Sequence, residues 1–410
     1  MPEFLTLLPP SAALDRLISQ LPTKAIPEKI RTEIALGRVT TSAVIAPHPL
    51  PEFARTTVDG YAVRAADTFG ASESLPAYLQ LIGEVPMGGA PDFCLGEAQC
   101  ALIHTGGMVP EGADAVVMVE YTQVARAGEI ETLRAVAVSE NLIKVGEDIQ
   151  TDMEVISAGT RLRPAEIGGL MALGITEISV AQRPRVGIIS SGDEVIPPRQ
   201  RPLPGQVRDV NAYTLSALVK EAGGEPILYG IILDSLEAMF ETASQALDEC
   251  DVVVITAGSS ASTRDLTSML VGQLGKPGVL VHGVNVRPGK PTILGVCDGK
   301  AVIGLPGNPV SALVIAGLFV TPVIKTLLGE KISRPKASVP ARLSVNLASQ
   351  AGREDWVPVR LIKGKDGYQA EPIFGKSNLI FTLVRADGLI CIPPDANGLD
   401  VGQNVDVILF

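Results

Sequence analysis

A chain of 410 residues, 46% hydrophobic and 19% charged, is too long for one ordinary core and too apolar for disorder, so several folded domains are expected. Its 34 lysines and arginines against 45 aspartates and glutamates leave a net charge of −11. That balance argues against nucleic acid as a partner but leaves room for a local cationic pocket. Five cysteines (Cys94, Cys100, Cys250, Cys297, Cys391) without a C-x-x-C pair, and three histidines without ligand spacing, exclude a disulfide framework and a structural zinc site.

In chain order, Leu14, Leu17, Ile18 and Leu21 recur at helical spacing and predict an amphipathic helix. A second helix is predicted over 28–37. Residues 51–140 alternate short apolar runs, such as 78–81 and 115–119, with Gly- and Pro-rich turns, and read as a compact β-rich domain. Residues 1–50 and 141–181, with a helix at 164–173, read as a helical and linker domain. From 182 to 330 strands (186–190, 226–232, 252–256) alternate with helices (211–222, 235–248, 266–274, and one from Pro309). That alternation implies a doubly wound, mainly parallel α/β sheet. Residues 331–410 read as a small C-terminal β domain, barrel-like, with a hairpin turn at Asp366-Gly367. The run 312–324 is too short to span a bilayer and reads as a buried helix, and no basic region opens a secretory signal. A cytoplasmic protein without membrane association is expected.

Ligands of doubly wound sheets sit beyond the carboxyl ends of the strands. The first strand runs into "SSGDEVI", placing Asp193 and Glu194 there; the second ends at Asp234, and the third in "TAGSSASTRD" with Asp265. One strand-terminal acid is well explained by helix capping. Four at successive strand ends converge on one crevice, where repulsion requires a cation or raised pKa values. Magnesium shared between carboxylates and ligand phosphates meets that requirement. The small residues of 258–262 let amides approach a ligand, or simply form a flexible connection. "VRPGKP" (286–291) adds Arg287 and Lys290, as cations beside an anion or as solvated charge. "GLPGNPVSA" (304–312) sets Pro306 and Pro309 around Gly307 and Asn308, with Asn308 as N-cap and Pro309 as the first helical residue. This turn reads as efficient helix initiation or as a phosphate site at a helix N-terminus. None of these stretches resembles a Walker A loop or a G-x-G-x-x-G fingerprint. In the β-rich region "TTVDGYAVR" holds Asp59 and "HTGGMVPEGADAVV" holds Thr105, and a turn aspartate is most often structural.

Together the stretches resemble the molybdopterin molybdenumtransferase family, the MoeA-like proteins related to the E domain of gephyrin. "VDGYAVR" (58–64), "TGGMVPEGADAVV" (105–117), "GEDI" (146–149), "SSGDEV" (190–195), "RPGKP" (287–291) and "GLPGNPVSA" (304–312) stand in family order along essentially the whole chain. The resemblance implies magnesium-dependent insertion of molybdate into adenylylated molybdopterin, with release of AMP. It implies a homodimer of four-domain chains, with the cleft between the doubly wound domain of one subunit and the β-rich domain of the other. Catalytic roles carry over to Asp59, Thr105, Glu194, Asp234 and Asp265, with Glu194 and Asp265 as the Mg2+ ligands. Ser190, Gly258, Ser260, Arg287, Lys290, Pro306, Gly307, Asn308 and Pro309 are the implied substrate contacts. Other proteins of molybdenum cofactor assembly are implied as partners. Two stretches depart from the family pattern. The loop Gly-Gly-Val-Ser-Val-Gly is here Ala257, Gly258, Ser259, Ser260, Ala261 and Ser262, and Gly107 and Met108 replace Ala-Pro. The loop leaves a non-catalytic molybdopterin-binding scaffold as the alternative, and tungstate is not separable from molybdate.

Overall fold

The computed structural model describes residues 7–257, 261–331 and 337–410, with the backbone alone at 261–265. It falls into two compact units, one of Met1–Ser42, Ala158–Pro164 and Glu177–Phe410, the other of Ala43–Ser157 and Ala165–Thr176.

The first unit is organised by a six-stranded sheet. Its strands are β1 (Arg185–Ser191), β2 (Glu225–Ile232), β3 (Val252–Ala257), β4 (Pro277–His282), β5 (Ile293–Cys297) and β6 (Lys300–Pro306), in the order β2-β1-β3-β6-β5-β4. The first four are parallel, and β5 and β4 continue antiparallel at one edge. The helices are α1 (Asn211–Ala222), α2 (Leu236–Glu249), α3 (Ala261–Leu274) and α4 (Pro309–Leu327). Side chains of β3 alternate between faces, as a strand's period of two requires. Val252 and Val254 join a core with Leu215 of α1 and Ile315 and Phe319 of α4. Val253 and Ile255 join the opposite core with Met239 of α2 and Leu270 of α3. Burying each such side chain contributes roughly 1.5–3 kcal/mol, which is why β3 opens on the apolar run Val252–Ile255. The amphipathic helix Pro10–Ile18 adds Ala13 and Leu17 to the first core. Helix α4 is long and apolar enough to cross a membrane, with a mean hydropathy of 2.0. Its residues Ile315, Phe319 and Val323 are nevertheless fully buried against the sheet, as a core helix requires.

The helix expected at 28–37 is instead a strand and a short turn. Pro27–Arg31 pairs antiparallel with Glu177–Ala181 and half-buries alternate residues, and Thr32–Ile34 forms one 3-10 turn. Local propensity favours a helix there, but the partner strand and Arg38, which binds Glu28 and the carbonyl of Ala181, satisfy the extended chain.

The C-terminal strands close on themselves. Glu354–Gly364 pairs with Gly367–Pro372 and Gly388–Ile392; Asn404–Leu409 pairs with Gly388–Ile392 and Ser338–Leu343; and Ser338–Leu343 returns to Gly367–Pro372. Closure leaves this small barrel without a free edge between those strands. The hairpin loop is Lys365-Asp366, one residue earlier than expected, because Gly364 pairs with Gly367, which holds φ at +112°. Val286–Arg287, reached from the α/β domain, adds a parallel pairing to the start of Glu354–Gly364. The barrel also packs on α4, where Leu383 meets Val310 and Val314.

The second unit is built on a separate six-stranded mixed sheet. In spatial order its strands are Ala115–Met118, Gly60–Val63, Gln99–Ile103, Ala77–Glu84, Glu129–Thr132 and Thr122–Arg126. Its β-rich character is that of the fold class expected from the sequence. The core holds Val63, Leu79, Cys100, Val117 and Ile130.

Candidate functional site

At the carboxyl end of the parallel sheet, β1 and β2 bring acids side by side. The Ser191 hydroxyl donates to Asp234, and the Asp234 N–H donates to Asp193 Oδ1 at 3.3 Å. Glu194 is exposed, with no side-chain hydrogen-bond partner among the described residues. Ser190 donates its hydroxyl to Asp209 Oδ2 at 2.7 Å. Asp209 also accepts the N–H of Ala212 at 3.1 Å, capping the start of α1. Two residues on, Asn211 Nδ2 donates to the carbonyl of Gly307 at 2.8 Å. Asp209 and Asn211 are both buried, and sequence reasoning missed them. The available signal was two polar residues placed next to an apolar helix start. Gly258 and Ser260 lie outside the described residues, as does the side chain of Asp265. Among the described residues no three His, Cys, Asp or Glu side chains group closely enough to hold a metal ion.

The proline turn follows β6 as expected, but Asn308 makes no side-chain cap. The Val310 N–H is taken instead by the carbonyl of Ser377, in the barrel, at 3.0 Å. A backbone acceptor thus satisfies an amide that a capping side chain or an anion would otherwise hold.

Arg287, Lys290, Pro306 and Asn308 meet on one wall of a cleft of about 1160 Å³, whose opposite wall is the barrel. The barrel contributes Arg353, Trp356 and Lys376. Asp193, Glu194 and Asp234 do not line it. Asp355 accepts two hydrogen bonds from Arg353, at 2.8 Å from Nε and 3.2 Å from Nη2, and lies 3.6 Å from Arg287 Nη1. Lys290 and Lys376 are exposed and have no carboxylate partner among the described residues. The turn before Lys290 is shaped by Gly289, at φ +112°, where a β-carbon would overlap Ile315 of α4. Only glycine satisfies both the backbone angle and that contact.

In the second unit, the structure joins two stretches that the sequence leaves apart. Thr105 donates its N–H, at 2.7 Å, and its hydroxyl, at 3.0 Å, to the same Oδ1 of Asp59. These bonds, the backbone one first, hold the Asp59 carboxyl below its ordinary range, helped by the charge of nearby His104. His104 stands 3.8 Å from Asp59 Oδ1 and 3.2 Å from Glu84 Oε1. Gly60 follows Asp59 where the strand presses on the next, so that a β-carbon would overlap the carbonyl of Val117. That contact fixes the backbone that carries Asp59.

Three family models match the chain in order. They are the MoeA N-terminal region (domain I and II) over residues 8–174, a probable molybdopterin binding domain over 187–326, and the MoeA C-terminal region (domain IV) over 340–410. The molybdopterin molybdenumtransferase of Nostoc sp. is 32% identical over 96% of this chain and 91% of its own. That of Bacillus subtilis is 31% identical over 93% of this chain and 90% of its own. A crystal structure of the molybdopterin biosynthesis protein MoeA from Pyrococcus horikoshii OT3 is 32% identical. It superposes with a TM-score of 0.87, covering 99% of this chain and 100% of that one.

Proposed function

This chain belongs to the MoeA-type molybdopterin molybdenumtransferases, enzymes of molybdenum cofactor biosynthesis, and we propose on that premise that it inserts molybdate into adenylylated molybdopterin with release of AMP. The observation that carries this reading is the cationic cleft. In a protein of net charge −11, its lining sets Arg287, Lys290, Arg353 and Lys376 against one carboxylate among the described residues, that of Asp355. Such a local inversion of charge, with Pro306 and Asn308 beside it, suits an oxyanion or a phosphate. Trp356 supplies an apolar wall beside those charges.

Within this reading, Arg287 and Lys290 neutralise the incoming oxyanion, and the proline turn keeps its backbone in one conformation, so little ordering is needed when substrate arrives. Glu194, after β1, and Asp265, near the start of α3, are hard oxygen donors, and their chemistry fits magnesium. Glu194, unpartnered among the described residues, and Asp265 would hold it. When bound, the ion neutralises charge on the phosphoanhydride that breaks. Ser191 and the Asp234 amide hold Asp234 and Asp193 in place beside that position. Asp59 and Thr105 act from the β-rich unit of a second copy in a homodimer. Asp59 is exposed and ionised at neutral pH there, with Thr105 orienting it. The reaction is assigned to the cytoplasm.

The test is AMP release from adenylylated molybdopterin, with molybdate or tungstate, with and without magnesium. Release requires both the oxyanion and magnesium, and E194Q and D265N each slow it by roughly a hundredfold or more. Full activity in both variants overturns the carboxylate roles. Tight binding of the adenylylated pterin without any AMP release overturns the enzyme reading in favour of a scaffold.

A further inference from the structure

We propose that Asp355 is a positioning residue, a buried carboxylate that holds Arg287 and Arg353 ready for the oxyanion. The proposal rests on the reading of the cleft given above. Asp355 is brought to this place by strand register. Arg287 pairs with Asp355 where the strand Val286–Arg287 runs parallel to the start of Glu354–Gly364. One residue comes from the α/β domain and the other from the barrel, so the register itself delivers both to the cleft wall.

The side chain of Asp355 is 5% exposed, that of Arg353 29% and that of Arg287 64%. The gradient runs from a buried anchor to an open cation. Among the described residues the carboxylate has no partner besides these two arginines. It therefore caps no helix and closes no turn. Its bonds to Arg353 are side-on, through Nε and Nη2, and they use two of the five N–H donors of the guanidinium. The remaining donors, and most of the Arg287 fork, stay free for a ligand. One carboxylate against two guanidiniums leaves a positive charge, to which Lys290 and Lys376 add. A planar fork oriented beforehand gives up less freedom when an oxyanion binds than a free one does.

Two roles for Asp355 predict opposite signs. If the carboxylate merely competed with the oxyanion for the arginines, removing its charge would tighten binding. If it positions them, binding weakens despite the gain in net positive charge. The test measures molybdate binding to the full-length protein by calorimetry, and KM for molybdate in AMP release. The variants are D355N and D355E, with Arg360→Gln, an exposed pair with Glu371 on the barrel, as control. D355N weakens molybdate binding by roughly tenfold and raises KM by a similar factor with little change in kcat. D355E restores most of the affinity, and R360Q leaves it unchanged. Breaking a pair between a half-buried arginine and a buried carboxylate can destabilise the fold, so R353Q and the double variant R353Q/D355N complete a cycle. The single losses overlap in the double variant, whereas additive losses overturn the proposal. Unchanged or tighter binding in D355N also overturns it, with the cleft reading intact. A wild-type protein that releases AMP but binds no molybdate in this cleft, with R287Q and K290Q indistinguishable from it, overturns the cleft reading itself.

Discussion

Thr105 gives both of its donors to a single oxygen of Asp59, across 46 residues of sequence, so the aspartate is tied down by a residue from a neighbouring loop. Both bonds favour the ionised form, and the backbone bond is the larger cause. Replacing Thr105 by Val removes the hydroxyl bond and keeps the backbone one. The Asp59 pKa then rises toward its ordinary value without reaching it, a change that NMR titration of the carboxyl carbon measures. The sign for stability follows from the lowered folded pKa. The contribution is present above the ordinary aspartate value and is lost as pH falls through the lowered one. T105V narrows that acid-side window, and a Thr105→Ser variant, which keeps the hydroxyl, restores it.

Gly289→Ala meets two obstacles, a φ of +112° and the side chain of Ile315. The backbone strain alone costs roughly 1–3 kcal/mol, and overpacking adds to it. Chemical denaturation shows the loss. The double variant G289A/I315A relieves only the overlap and, by opening space in the core, does not return to wild-type stability.

Asn211→Leu separates stability from function. It removes the bond to Gly307, but it also removes Asn211 Oδ1, a buried oxygen with no partner among the described residues. The two effects oppose each other at about 1 kcal/mol each. The midpoint of unfolding stays close to that of the wild type. The turn at Gly307 loses its tether, so KM for the pterin substrate rises severalfold. Unchanged KM with lowered stability would show a purely structural residue.

Burial pushes the thiols of Cys100 and Cys391 up to about 12 and that of Cys297 up to about 11. Cys250 is raised as well, by burial first, and Cys94 is the exposed one. At pH 8 the native protein therefore presents one thiol to a thiol reagent on the time scale of minutes, and the unfolded chain presents five. Cys94 reacts more slowly than free cysteine, because its hydrogen bond to Glu111 raises its pKa too.

What could be read from residues alone follows the range of each interaction. Helix α1 was legible to the residue because its apolar spacing and Gly223, left-handed at φ 100°, both act locally. Strand β3 was legible because a strand buried on both faces is apolar throughout but for Thr256. The strand Pro27–Arg31 was not, since its hydrogen bonds are made by residues 177–181 and nothing nearby announces them. The same limit hid the candidate site's supports. Asp209 with Ser190, Asn211 with Gly307, and Asp355 with Arg287 are each joined by tertiary geometry. Arg287, Lys290 and the proline turn could be named as candidates from residue type, but residue type alone left them open between ligand contacts and ordinary surface charge or helix initiation. The partners that orient them carry no such mark.

The α/β domain borrows two things from the barrel: an edge partner for Val286–Arg287 and an acceptor for the first free amide of α4. Exchanging the barrel therefore also exchanges part of the cleft. A chimera carrying another barrel would keep its central sheet but would bring Arg287 to a carboxylate only where that barrel supplies the same strand register and an acid at the position of Asp355. Changes in the last eighty or so residues would then surface as altered oxyanion handling, although the polypeptide still folds.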